Sequence, residues 1–351
     1  MGRQILTYYL NERPTGNIVH GQTFRSEKTE APTADQLKDG QVLVEALYLS
    51  LDPAMRGWLN DIRSYLPPVA IGEKMRGSAI SRVLASKNPK FKEGDIVNAS
   101  IGWTEMAIVD EKLLDKVELP QNSRITDSLG VLGMTGLTAY FGLEKIGNVK
   151  PGDVVVVSGA AGATGSVVGQ IAKLKGAHVI GIAGSDDKCN WLKSELGFDE
   201  VLNYKSPTFT KDFVKLTPNF INVYWDNVGG EILELALSRA AFRSRFVMCG
   251  SISGYNSPGK ESKGIRNLFQ VTTQRIRMEG FIVFDFLTEY VPARKELYQW
   301  LSEGKIKRAE HIIQGGLANV ENAWDELFAG RNTGKLLLEV KPNEEKVSAH
   351  L

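Results

Sequence analysis

A β-branched run, Val154–Ser158, leads directly into Gly159-Ala160-Ala161-Gly162-Ala163-Thr164-Gly165, and helical periodicity follows over Ser166–Lys175. Glycines at the mouth of a strand let the backbone turn tightly and approach a pyrophosphate closely. The N-terminus of the next helix adds free N–H donors and partial positive charge at the same place. A second strand, His178–Ala183, completes a βαβ unit, which predicts a parallel sheet. The spacing is a variant of G-x-G-x-x-G, and small residues also serve plain strand–helix packing. The strand–turn–helix setting favours dinucleotide binding, with Gly162, Ala163, Thr164 and Gly165 at the phosphates.

The alternation continues. Lys188–Leu196 reads as a helix, Glu200–Leu202 as a short strand, Asn222–Asp226 as a strand, Glu231–Ala240 as a helix and Arg245–Cys249 as a strand. That run suffices for a doubly wound α/β sheet. Met278–Phe286 reads as an aromatic-rich strand, with helices at Pro292–Ser302 and Val320–Ala329. The first third differs, because Val42–Leu49, Ser78–Ala85, Asp95–Ala99 and Glu105–Val109 are short stretches cut by turn residues and predict a β-rich domain. A chain of 351 residues exceeds one ordinary core, so two domains are expected. The expected division is a β-rich catalytic domain over 1–130, a nucleotide-binding domain over 131–305, and a return to the first domain over 306–351. The strand Lys335–Val340 makes that return, and the polar tail Lys341–Leu351 is expected to fray.

Charge narrows the partners. With 42 basic and 41 acidic residues there is no electrostatic footprint for nucleic acid or an anionic membrane. No stretch approaches the ~20 apolar residues that span a bilayer. A small molecule is the expected partner. Two cysteines, Cys189 and Cys249, and an opening Met1–Leu10 without a secretory pattern fit a reducing, cytoplasmic compartment. The last residues, Ala349-His350-Leu351, resemble a peroxisomal address and keep that compartment as an alternative.

The form of the cofactor follows from the end of the second strand. An NAD enzyme commonly places an acid there for the ribose hydroxyls. This chain has Ala183-Gly184-Ser185 instead, with Asp186 and Asp187 later and Lys188 beyond them. Gly184, Ser185 and Lys188 would admit and neutralise a 2′-phosphate that a carboxylate would repel. Alone, Lys188 reads as a solvated helix residue; with the acid missing, NADP is favoured.

Metal chemistry has few ligands to draw on. A catalytic zinc takes three protein ligands and a structural one usually four, mainly Cys and His. The chain has His20, His178, His311 and His350 with the two cysteines, none in a paired spacing. No metal site is expected, and both cysteines read as packing residues.

Several further segments carry a family resemblance. They are Leu49-Ser50-Leu51-Asp52-Pro53 with Met55-Arg56-Gly57, Gly133-Met134-Thr135-Gly136-Leu137-Thr138-Ala139-Tyr140, Gly184-Ser185-Asp186-Asp187-Lys188, and Asn203-Tyr204-Lys205. Asp226-Asn227-Val228-Gly229-Gly230, Ile252-Ser253-Gly254-Tyr255-Asn256, Glu279-Gly280-Phe281 and Asn332-Thr333-Gly334-Lys335 follow in order. With these the chain resembles the zinc-independent medium-chain dehydrogenases/reductases, in the branch of leukotriene/prostaglandin and alkenal double-bond reductases. The resemblance implies a Rossmann domain joined to a β-rich, GroES-like catalytic domain, and a homodimer through an edge strand near Phe281–Phe286.

It also implies residue roles. The Lys matching Lys188 meets the 2′-phosphate, and the residues matching Tyr204, Asn227, Phe281 and Asn332 line the cofactor site. Cys249, Ser251 and Ile252 match a segment beside the nicotinamide, and Tyr255 matches a residue near the substrate. Where relatives often carry Tyr, this chain has Ala54, on the substrate side. Singly, Asn227 also reads as a helix cap, Tyr204 as a packing ring and Asn332 as a turn residue. Asp52 and Arg56 read as structural.

The implied reaction is hydride transfer from NADPH to the β-carbon of an α,β-unsaturated ketone or aldehyde. Negative charge then accumulates on the carbonyl oxygen and needs a donor. Tyr255 is the candidate, since a phenol with a pKa of about 10 is protonated at neutral pH; its other reading is an aromatic lid. Tyr65 and Met134 are expected to line the substrate pocket. Two alternatives stand beside this: a zinc-free NADPH quinone reductase, and a non-catalytic NADPH-binding sensor.

Overall fold

The structure, a computed structural model, describes residues 2–117, 123–257 and 264–342. The chain opens with β1 (Gln4–Leu10), β2 (Phe24–Glu30), β3 (Gln41–Ser50), β4 (Ala79–Ser86), β5 (Ile96–Ala99), β6 (Met106–Asp110) and β7 (Leu114–Lys116). There follow α1 (Met134–Phe141), β8 (Val154–Val157), α2 (Ala163–Leu174), β9 (His178–Ala183), α3 (Asp186–Ser194), β10 (Glu200–Asn203), α4 (Phe209–Leu216) and β11 (Ile221–Asp226). Next come α5 (Gly230–Ser238), β12 (Ala240–Met248), α6 (Ile252–Tyr255), α7 (Gln270–Thr273), β13 (Arg277–Gly280) and α8 (Tyr290–Ser302). The chain closes with β14 (Glu310–Ile313), α9 (Val320–Phe328) and β15 (Lys335–Glu339).

Two units form. One comprises Met1–Leu129, His311–Asn332 and Leu336–Leu351; the other comprises Gly130–Glu310 and Thr333–Lys335. The first is β-rich. Its central strand β3 pairs antiparallel with β4, β6 and β15, which explains why nearly all of its residues are buried. The returning strand is as expected: Leu337, Leu338 and Glu339 of β15 pair with Ser50, Leu49 and Tyr48. Below the sheet Trp103 packs between Phe24 at 4.8 Å and Trp324 of α9 at 5.7 Å. Buried aromatics of this size contribute the largest apolar burial per residue.

Charged groups hold the edges of this unit. Arg56 is fully buried and donates to the carbonyls of Pro14 (2.9 Å) and Gly16 (3.1 Å) and to Asn60 Oδ1 (2.7 Å). Buried Glu45 receives Arg3 at 2.6 Å and Lys341 at 2.9 Å. The start of the tail is therefore anchored at Lys341 rather than frayed, and Ala349-His350-Leu351 lies outside the described residues.

The second unit is the doubly wound sheet, six parallel strands in the order β10-β9-β8-β11-β12-β13. Its strands are buried on both faces, with successive side chains alternating between two cores. Val155, Val157, Val179, Val223 and Trp225 enter one core, while Val156, Ile180, Ile182 and Tyr224 enter the other. Each such valine contributes about 1.5–2 kcal/mol by burial.

Three element readings change. The helix read to Ala240 stops at Ser238, and β12 starts at Ala240 rather than Arg245. A register shift between Ile221 and Val223 and a left-handed Arg243 (φ 58°), whose N–H bonds to Gln274 O, hide the alternation of β12. The strand read over Met278–Phe286 is paired only over Arg277–Gly280. Val283–Glu289 winds into a 3-10 helix, whose start is capped by Asp285 Oδ2 accepting from Ile282 N–H at 3.1 Å. Among the described residues no helix is long and apolar enough to cross a membrane.

Candidate active site

The glycine turn joins β8 to α2 at the point where the sheet order reverses. Gly159 takes φ 58°, Gly162 N–H donates to Gly159 O at 3.1 Å, and Ala160 N–H donates to Ile182 O at 2.9 Å. Gly162 caps α2 without a side-chain acceptor, so the first turn of this helix opens on backbone alone. The other glycines serve packing: a β-carbon at Gly165 would overlap the Gly159 carbonyl oxygen, and one at Gly169 would overlap the Phe198 ring. The turn is braced by the returning chain, since Gly334 N–H donates to Ala161 O at 2.8 Å. Gly334 must be glycine there, because φ is 74° and a β-carbon would overlap Ala309 O.

At the end of β11 a buried carboxylate organises the neighbouring turns. Asp226 Oδ1 accepts from Ser158 Oγ (3.0 Å), Tyr224 OH (3.1 Å), Val228 N–H (3.1 Å) and Gly229 N–H (2.9 Å). Its backbone oxygen accepts from Cys249 N–H at 3.0 Å and Gly250 N–H at 2.9 Å. One residue thus ties together the ends of β8, β11 and β12. Burial raises its carboxyl pKa above the ordinary value, against those donors, and Oδ2 is buried without a partner among the described residues. Asn227 is equally committed: Nδ2 donates to Ser158 O at 2.7 Å and Oδ1 accepts from Trp225 Nε1 at 3.0 Å. The helix it precedes is capped by Gly229, so capping is not its part.

At the end of β9, Gly184 lies against Tyr204, whose Cε1 would be 3.0 Å from any β-carbon. Tyr204 N–H donates to Ala183 O at 3.0 Å, and the residue is 46% exposed. Ser185 caps α3 by accepting from Lys188 N–H at 3.3 Å. Lys188 is half-buried, and burial followed by the charge of Lys205 lowers its ammonium pKa.

Beyond β12, Ser251 N–H donates to the Tyr255 hydroxyl at 3.1 Å, and that oxygen stands 3.2 Å from the position of a β-carbon on Gly250. Ile252 N–H donates to Asn227 O at 3.2 Å. The Cys249 thiol is pushed up to about 12 by burial and the Asp226 charge, which removes it as a nucleophile near neutral pH.

The residues from Gly162 to Tyr255 therefore gather at the C-terminal ends of the parallel strands, where open α/β sheets bind ligands. Phe281 packs edge-to-face on Trp225 at 6.0 Å, as a core residue beside that rim. Met134 opens α1 and is 37% exposed. In the β-rich unit, Asn332 is buried and the Tyr65 hydroxyl accepts from Trp58 Nε1 at 3.0 Å. Ser158, Asp226 and Gly334 were not among the expected site residues. Asp226 and Gly334 sit inside quoted segments, but the partners that give them a role are far away in sequence.

Comparison with known proteins adds the family. The family described as "N-terminal domain of oxidoreductase" matches residues 6–117, and "Zinc-binding dehydrogenase" matches residues 163–302. Prostaglandin reductase 1 of Bos taurus is 42% identical, covering 90% of this chain and 93% of its own. The NADP(+)-dependent 2-alkenal reductase of Nicotiana tabacum is 39% identical, covering 92% and 95%.

The chain belongs to the zinc-independent medium-chain dehydrogenases/reductases.

The solved structure of CurA from Vibrio vulnificus in complex with NADPH shares 38% identity and a TM-score of 0.89, covering 96% of this chain and all (100%) of that one. The fold is accordingly the α/β plan of that family, a Rossmann sheet with a separate β-rich unit. Among the described residues no three His, Cys, Asp or Glu come together in a way that could hold a metal ion.

Proposed function

We propose that this chain reduces the C=C bond of α,β-unsaturated ketones and aldehydes with NADPH, hydride arriving at the β-carbon. When bound, the cofactor supplies the hydride. The observation that carries the reading is the Tyr255 hydroxyl, held by Ser251 N–H beside Gly250 at the rim of the dinucleotide sheet. A phenol that accepts one hydrogen bond is a stronger donor of its own. Tyr255 donates to the carbonyl oxygen as charge develops there, and solvent supplies the proton to the α-carbon.

The other residues position the reactants. The turn Gly162, Ala163, Thr164 and Gly165 at the start of α2 holds the pyrophosphate. Gly184, Ser185, Lys188 and Tyr204 take the adenosine end, while Asn227, Cys249, Ser251, Ile252, Phe281 and Asn332 order the nicotinamide side. Tyr65 and Met134 are assigned to substrate, as is the position of Ala54. The β-rich domain over 1–130 and the return over 306–351 carry the substrate side, and 131–305 carries the cofactor.

The reading includes a homodimer in the cytoplasm. Among the described residues β13 is the edge of the parallel sheet, and its outer backbone side offers a strand-to-strand contact. Sedimentation at the monomer mass would remove the dimer, and imaging with N- and C-terminal tags separates cytoplasm from peroxisome. For the activity, NADPH consumption is measured against an enone, an enal and a quinone, with products identified. Saturated ketone and aldehyde are expected; turnover confined to the quinone, yielding hydroquinone, would replace the reading by its neighbour.

A further inference from the structure

The parallel sheet has a second end, away from the rim that carries the glycine turn. There β12 spends five steps, from Ala240 to Arg245, where its neighbour β11 spends two, from Ile221 to Val223. The surplus residues bulge out with Phe242 and Arg243 among them, and Phe242 is 57% exposed. Bulges of this kind re-aim side chains. Phe220, Ser238, Ala240, Phe242, Gln270 and Gln274 line a hollow of about 250 Å³ at these strand starts. The rise of a strand puts the start of β11 about 17 Å from Asp226 at its other end, so the hollow is separate from the site described above.

Three arginines stack on its two rings. The Arg275 and Arg243 guanidinium carbons stand 4.9 and 5.4 Å from the centre of the Phe242 ring, and that of Arg239 stands 4.5 Å from the centre of the Phe220 ring. Arg243 N–H donates to Gln274 O at 2.8 Å, which joins the bulge to the end of α7. Arg239 is occupied, donating to Thr217 Oγ1 (3.1 Å) and to the Thr217 carbonyl. Arg275 gives one N–H to Thr273 O at 3.2 Å, and among the described residues none of the three forms an ion pair with a carboxylate. A guanidinium stacked on a ring keeps its in-plane N–H groups for a planar, bidentate acceptor. The backbone is strained at the same place. Among the described residues four that are not glycine have left-handed backbone, and three belong to this cluster: Phe220 (φ 62°), Arg243 (φ 58°) and Arg275 (φ 53°). Arg275 follows α7 at the position where glycine is usual. Side chains are held there against the backbone preference, and the groups so placed are these cations and rings.

We propose that this cluster is a second small-molecule site, for an aromatic carboxylate: Arg243 and Arg275 take the carboxylate, and the Phe220 and Phe242 rings take the planar body. The rings supply apolar contact and the guanidiniums supply counter-charge, so the ligand carries both characters on one frame. A bare inorganic anion would use the arginines and leave the rings exposed. The hollow is smaller than the ~300 Å³ at which pockets for drug-sized compounds begin, which limits the frame to one or two fused rings. The assignment does not depend on the reading of the cofactor end.

The test titrates the full chain by calorimetry, with and without saturating NADPH, using 2-naphthoate, 2-naphthamide, cyclohexanecarboxylate and inorganic phosphate. 2-Naphthoate should bind with a Kd of about 1 mM or tighter, NADPH present or not, and the other three at least about 5-fold more weakly. Arg243→Gln, Arg275→Gln and Phe242→Leu should each weaken 2-naphthoate about 5-fold or more. Arg275→Lys should recover only part of that loss, since an ammonium lacks the planar fork. In all four variants kcat and NADPH affinity should stay within about 2-fold of the parent, which shows that the chain is folded. If 2-naphthoate does not saturate below about 20 mM, or binds the variants as it binds the parent, there is no such site. Equal binding of 2-naphthamide would remove charge from the recognition, and equal binding of phosphate would remove the rings; either overturns the assignment. Binding abolished by NADPH would place the ligand at the cofactor end and overturn it too.

Discussion

The Ser251 N–H donates to the Tyr255 hydroxyl at 3.1 Å, and the same oxygen lies 3.2 Å from where a β-carbon on Gly250 would stand. The phenol is thus placed by the backbone of the β12–α6 turn, which in turn hangs on Asp226 through the N–H groups of Cys249 and Gly250. Tyr255→Phe keeps the ring and removes the donor. Turnover of an enone should fall roughly 10- to 100-fold, with NADPH affinity nearly unchanged. Equal kcat in the parent and the variant would dismiss the donor role and leave Tyr255 as a lid.

The glycines of the dinucleotide turn should separate by role. A β-carbon at Gly165 would overlap backbone, whereas one at Gly162 would lie 3.3 Å from Gly159 O with an ordinary φ of −81°. Gly165→Ala should cost about 2 kcal/mol or more of stability, and Gly162→Ala less than about 1 kcal/mol. Urea unfolding of the two variants checks the order; a reversed order would mean that the turn is held differently.

Asp226 should matter for stability and for cofactor binding together. Asp226→Ala leaves Tyr224 and two backbone N–H groups without this acceptor and removes one of the two acceptors of Ser158 Oγ. A loss of about 3 kcal/mol is expected, along with weaker NADPH binding as the turns after β8, β11 and β12 loosen. Thermal and urea unfolding with and without NADPH measure both. A change below about 0.5 kcal/mol would show that the turns hold themselves.

Two carboxylates, half-buried Asp199 and buried Asp226, should give opposite pH signatures. Burial of Asp199 opposes ionisation, but Lys173 Nζ at 2.7 Å and Val179 N–H at 2.7 Å outweigh it and bring its pKa below 3.8. Its stabilisation is therefore present above pH 3.8 and lost as pH falls through the folded value. Asp226 is raised above 3.8 by burial, so its contribution is greatest below pH 3.8 and declines as pH rises through its folded value. Stability of Asp199→Asn relative to the parent, followed from pH 7 to pH 2.5, should converge toward zero. A gap that stays constant would contradict the sign.

Much of this architecture was legible along the chain, because the relevant signals are local. The valine run of β8, the glycines after it and the periodicity of α2 lie within one βαβ unit, and the burial of both strand faces removes the need for alternation. β12 was misread because an internal register shift at Arg243 breaks the pattern that identifies a strand. Phe281–Phe286 look like a strand by composition, yet their rings pack on Trp225 and Phe141 while the backbone coils. Lys188 was readable from the missing acid at the end of β9. Asp226 was not, since its meaning depends on meeting Ser158, a contact set by sheet order rather than by spacing.

The most direct measurement follows one atom. The protein is supplied with NADPH deuterated at the transferable C4 position and an α,β-unsaturated ketone, and the product is analysed by mass spectrometry and NMR. A saturated ketone carrying deuterium at the former β-carbon is the expected result. An allylic alcohol carrying deuterium at the carbonyl carbon, or no deuterium transfer at all, would contradict double-bond reduction as the function of this chain.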